Sequence, residues 1–141
     1  MKTPVHLWLV GIVMLIWNGM GAMDYVLTVS RSESYLEQFT PERLAFLEAF
    51  PGWAVGSWAL AVWLYVLGSI LLLFRSRFAP PVLIAGFVFM LVTTFHNLVL
   101  AEVSPVETMS TGEGLFTIGI FVLALLQIVY GRAMLQRNVL R

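Results

Sequence analysis

Four stretches without a single charged residue, 3–23, 49–74, 78–101 and 114–131, dominate this chain of 141 residues. They run 21, 26, 24 and 18 residues, against the roughly 20 that a helix needs to cross a bilayer core. In hydrocarbon a backbone must satisfy its own hydrogen bonds, so each stretch is expected to be helical. The charges between them alternate in sign. Lys2, Arg75, Arg77, Arg132, Arg137 and Arg141 fall on one side, with no carboxylate among them. The other side holds Asp24 and all the glutamates, with only Arg31 and Arg43. Excess Lys and Arg marks the cytoplasmic face. The pattern predicts an all-α integral membrane four-helix bundle, N-in/C-in, with spans near 5–28, 51–74, 80–101 and 114–136.

Composition narrows the function classes. The chain is 60% hydrophobic and 11% charged, where soluble domains carry about 25% charged residues. Its longest extramembrane segment, 29–50, is too short for a core of its own, so a single domain is expected. There is no cysteine, which removes disulfides, thiolate metal sites and cysteine nucleophiles. No basic stripe tracks phosphates, so nucleic acid is not an expected partner. At the N-terminus, Lys2, the apolar run 5–17 and the small residues Gly19, Gly21 and Ala22 resemble a cleavable signal peptide. Trp8, Trp17 and Asn18 are awkward in such a segment, and the apolar run resumes at Tyr25, Val26 and Leu27. Both features favour a retained first span.

All prolines sit at expected helix starts or in loops, where the missing N–H costs nothing. The span interiors are therefore expected to be unbroken, except where Gly19 and Gly21 loosen the first near its outer end. Between spans 1 and 2, residues 41–50 alternate apolar and charged positions at helical spacing. They predict a short amphipathic helix with Leu44, Phe46, Leu47 and Phe50 on one face, covering the outer mouth of the bundle or docking a partner. Trp53, Trp58, Tyr25 and Tyr130 suit the membrane interface. Trp63 is deeper and is expected to pack between helices. Gly52 and Gly56 form one GxxxG pair, the kind that permits close helix contact.

Polar residues inside apolar spans are costly and each needs a reason. Counting about 1.5 Å per residue puts Asn18 and His96 in the outer third, with Asp24 close to the outer boundary. Thr93, His96 and Asn97 share one face of span 3, while Ser57, Trp58 and Thr117 reach the same layer. Gln127 is expected nearer the inside, away from that layer. One expectation is a pocket formed by Asn18, Asp24, Ser57, Thr93, His96 and Asn97, open to the periplasm and suited to a small polar solute or cation. The other is that Asn18, Thr93, His96 and Asn97 hydrogen-bond one another between helices while Asp24 faces interfacial water. No HExxH, GxSxG or phosphate-binding loop is present, and no enzymatic activity, metal or other cofactor is expected.

Several strings carry a family likeness: Trp17-Asn18-x-x-Gly21-x-x-Asp24-Tyr25, Phe39-Thr40-Pro41-Glu42, Phe50-Pro51-x-Trp53-Ala54, and Gly68-Ser69 ahead of Leu71-Leu72-Leu73 and Arg75. Together they resemble a family of small four-helix bacterial inner-membrane proteins, some of which carry the label sugar transporter. The resemblance covers roughly the first 80 residues. It implies a multi-pass protein of the bacterial inner membrane and draws attention to Asn18 and Asp24. Two functional expectations follow. One is a non-enzymatic structural or accessory subunit, partnered by the lipid bilayer and by a larger membrane protein. The other is a small carrier or binding protein acting as a homo-oligomer.

Overall fold

The computed structural model describes residues 2–102 and 105–141, apart from the Thr108 side chain. In chain order the helices are α1 (Val5–Val29), α2 (Glu33–Leu36), α3 (Pro41–Glu48), α4 (Gly52–Leu73), α5 (Ala79–Phe95), α6 (Pro105–Thr108) and α7 (Thr111–Gln136). A wide π-helical turn, His96–Leu100, prolongs α5. The four long helices are long and apolar enough to cross a membrane. The protein is thus a multi-pass, all-α four-helix bundle with no strand among the described residues.

The helix ends follow local chemistry. Pro4 and Pro51 cap α1 and α4, and Pro41 opens α3 behind Thr40, whose hydroxyl accepts from the Arg43 amide. The last long helix begins at Thr111, three residues earlier than the charge pattern predicts. A capping box explains the difference. Glu113 N–H donates to the Ser110 hydroxyl at 3.2 Å, and Ser110 N–H donates to the Glu113 carboxylate at 2.9 Å, satisfying two otherwise unpaired helix donors. Arg31, Arg75 and Asn138 follow the ends of α1, α4 and α7 with φ of 56°, 57° and 57°. Each is the left-handed residue of a Schellman-type turn. The closing bonds run from the amides of Ser32, Ser76 and Val139 to the carbonyls of Leu27, Leu71 and Met134.

Packing sets the order around the bundle. α4 lies close against α1 on one side and α5 on the other, and α5 lies against α7. The fourth seam, α1 against α7, is bridged by long side chains, among them His6 to the Tyr130 phenol and Trp17 to Phe116. The tight seams rest on glycines at three points: Gly11 beside Leu73, Gly68 beside Leu83, and Gly86 beside Tyr65. Gly52 and Gly56, the pair singled out in the sequence, face open space instead. Trp63 is also not packed between helices; it is 47% exposed, on the surface such a bundle presents to lipid. Gly19 and Gly21 lie inside an unbroken α1.

The two ends of the bundle differ. At the basic end Leu7, Leu72, Ala79, Met134, Val139 and Leu140 form one buried cluster. The last residues are stitched to the α4–α5 turn. Arg141 N–H donates to the Arg75 carbonyl at 2.7 Å, and Arg77 N–H donates to the Arg141 carbonyl at 2.9 Å. At the acidic end α3 folds over the bundle with Leu44, Phe46, Leu47 and Phe50 half-buried beneath it. Arg43 reaches Glu113 at 3.6 Å.

Candidate functional site

A polar knot at mid-bundle ties three of the long helices together. The Asn18 amide nitrogen on α1 donates to the Ser69 hydroxyl on α4 at 2.8 Å and to Gln127 Oε1 on α7 at 3.0 Å. Gln127 Nε2 donates to the same Ser69 oxygen at 2.8 Å, and that hydroxyl donates to the Tyr65 carbonyl at 2.9 Å. Ser69 and Gln127 are almost wholly buried, and no buried side-chain polar atom among the described residues is left without a partner. This arrangement corrects two expectations. Gln127 is not remote from Asn18, and Asn18 is bonded to Ser69 and Gln127 rather than to Thr93, His96 or Asn97. Its Oδ1 takes no hydrogen bond from the described residues.

The other predicted polar residues divide into two groups. Thr93 turns its hydroxyl back to the Phe89 carbonyl at 3.0 Å, as Thr94 does to Met90 at 2.7 Å, so neither makes an interhelical bond. Ser57 joins α4 to α5 through the Phe89 carbonyl at 3.4 Å. His96 is buried, with Nδ1 at 3.1 Å from the side-chain oxygen Oδ1 of Asn97. Its ring meets Phe50 and Trp53 edge-on, with centroids 4.8 and 5.4 Å away. The aromatic cover supplied by α3 and the start of α4 keeps it out of the central space. His96 and Ser57 are therefore packing residues of the acidic end, and neither lines the cleft that the other predicted residues share.

Asn18, Asp24, Thr93 and Asn97 do share a space. A cleft of about 620 Å³ lies between the four long helices, reaching from the acidic end down to Asn18 and Tyr65. Its walls are largely apolar, with Trp17 and Met20 from α1, Trp58 and Ala61 from α4, Met90 from α5 and Phe121 from α7. Polar groups stand at the rim: Asp24, Tyr35, Arg43, Asn97 and Thr117. Trp58, braced edge-on by Tyr25 at 4.9 Å, also borders a smaller cavity of about 260 Å³ beneath α3. Compared with protein-family models, with curated proteins and with solved structures, the chain matches none.

At the rim the Tyr35 phenol donates to the Asp24 carboxylate. Burial, then the hydrogen bond to Asp24 and the charge of that carboxylate, push the Tyr35 phenol up to about 12. Because the folded value lies above the ordinary 10.0, this bond contributes fully below pH 10 and is lost as pH rises through about 12. Asp24 has no cation within ion-pair distance among the described residues, whereas Arg43 is paired with Glu113. Among the described residues no three His, Asp or Glu side chains converge on one point. Tyr35, Arg43, Ser69 and Gln127 are the site residues that the sequence reading left out. Gln127 and Ser69 did carry a signal, being polar groups in apolar spans; Tyr35 and Arg43 lie in a loop whose course the sequence does not specify.

Proposed function

We propose that this is a non-enzymatic inner-membrane binding protein or carrier that holds a small solute in the central cleft. The observation that carries the proposal is the cleft itself. About 620 Å³ lies within the roughly 300–1,000 Å³ typical of small-molecule sites, and mostly apolar walls with a few polar groups are what such sites have in common. With the six cations of the basic end inside, the cleft opens to the outer face, the periplasm in a bacterium. A purely structural subunit would have no need of this space. Four tightly packed helices would bury more surface and be more stable without it.

Gly21 offers the test. It borders the cleft, and a Cβ added there meets nothing within 4 Å. Gly21→Trp should therefore fill the space with little strain. Native mass spectrometry of the wild-type protein, released gently from its own membrane, should show a reproducible added small mass. The Gly21→Trp protein should lose that mass while keeping its oligomeric state and thermal midpoint. A wild-type peak carrying only a second protein would favour the accessory subunit instead.

A further inference from the structure

We infer that the cleft takes a lipophilic organic cation, an ammonium carried on an apolar body, with Asp24 as its counter-ion. The inference rests on the binding function proposed above and adds the class of ligand. Two charged side chains border the cleft, Asp24 and Arg43. Arg43 is already matched by Glu113 and lies over the Phe39 ring at 4.5 Å. Asp24 is matched by no cation among the described residues and is held in place by the Tyr35 phenol. The uncompensated charge facing the space is thus one carboxylate. The surrounding end of the bundle carries all 8 Asp and Glu side chains against Arg31 and Arg43, and a potential of that sign concentrates cations. Trp17 and Trp58, both lining residues, are indoles, the aromatic type to which ammonium groups are most strongly attracted.

The apolar part of the ligand follows from where the cleft is open. Met20 of α1 and Phe116 of α7 border it and are 62% and 59% exposed on the surface that meets lipid. They flank the seam that lacks close helix packing, where side chains such as Trp17 and Phe116 close the gap. An apolar body can enter between α1 and α7 from the bilayer by displacing that ring contact while its charged end stays at the level of Asp24. A strongly hydrated inorganic cation would have to exchange its water shell for a lining that is mostly apolar, whereas an ammonium on an apolar body matches that lining.

Tetraphenylphosphonium and its near-isosteric anion tetraphenylborate separate sign from shape. Equilibrium dialysis against the full chain in lipid nanodiscs, with empty discs subtracted, should give saturable binding of the cation and none of the anion. Asp24→Asn keeps an oxygen for the Tyr35 phenol, and should weaken the cation roughly tenfold; Asp24→Glu should restore most of the affinity. Equal binding of both ions, or an Asp24→Asn protein that binds as the wild type does, overturns the assignment. So does an absence of saturable cation binding. If in that case Gly21→Trp still removes the native small mass, the cleft remains a binding site and only its ligand class has failed. Repeating the dialysis with and without phosphatidylethanolamine distinguishes the source of the ammonium. Competition by that lipid supports a headgroup, and undiminished binding supports a free amine.

Discussion

Gly68→Leu should part α4 from α5 and lower the thermal midpoint in detergent sharply. A Cβ at this position would lie 2.4 Å from Leu83 Cδ2 and 2.7 Å from its Cγ. Leu83 is itself fully buried, so it has nowhere to retreat without displacing Tyr65 and Ala124, its partners in the same cluster. Overpacking of this kind costs about 1–3 kcal/mol, and the branched remainder of the leucine adds to the clash of the Cβ. Gly56→Leu is the matched control. It lies on the same helix, but a Cβ there meets nothing within 4 Å, and the expected change is within about 0.5 kcal/mol. Adding Leu83→Ala to Gly68→Leu should recover part of the loss, since the two side chains compete for one volume. Equal midpoints for the Gly68 and Gly56 variants would refute this packing.

Asn18→Leu should be the second large effect, by a different mechanism. It removes a bridging amide and leaves Gln127 Oε1 buried without a donor. Interhelical hydrogen bonds in membranes average only about 0.6 kcal/mol, but an unsatisfied buried partner costs about 1–3 kcal/mol. The second contribution is the larger, so a loss of about 2 kcal/mol is expected. The double variant Asn18→Leu/Gln127→Leu tests the mechanism, because it takes away the stranded oxygen together with its donor. It should be more stable than Asn18→Leu alone. Additive losses in thermal unfolding would mean that the two side chains are not coupled.

The topology was legible because each span is announced by a property of single residues. One charge inside a stretch such as 78–101 would have spoiled it, and none is there. Helix starts were readable to within a few residues from Pro4, Pro51 and Pro80 for the same reason. The partners of Asn18 were not legible. Counting inward from opposite faces of a roughly 30 Å core places Asn18 and Gln127 about 10 Å apart in depth. However, α1 and α7 run 25 and 26 residues, longer than such a core, so each overhangs it and a count from either face does not fix the depth at which Asn18 and Gln127 fall. Register between helices depends on which small residues face which large ones. Gly68 against Leu83 fixes it for α4 and α5, and Gly52 and Gly56, identical in type, fix nothing.

His96 illustrates the other kind of failure. A lone histidine in an outer layer with Asn97 and Thr93 reads as a pocket residue by spacing alone. Its exclusion depends on Phe46 of α3 and on Phe50 just beyond that helix, whose ring centroids lie 6.4 and 4.8 Å from its own, in a loop that the sequence marks only as amphipathic. Asp24 was placed at the acidic end correctly, yet its phenol partner comes from α2, a four-residue helix with no hydropathy signal of its own.

The most direct measurement of the central claim is thiol accessibility inside the cleft. The chain has no cysteine, so a single introduced one reports without background. Thr93→Cys places it on the cleft wall, and Leu83→Cys places it in the fully buried core. Thiols react as thiolates and need water to do so. A membrane-impermeant methanethiosulfonate reagent added on the acidic side should modify Thr93→Cys, leave Leu83→Cys untouched, and be slowed at position 93 by Gly21→Trp. A Thr93→Cys protein as inert as Leu83→Cys, or one indifferent to Gly21→Trp, would mean that the bundle is closed at its centre and binds nothing there.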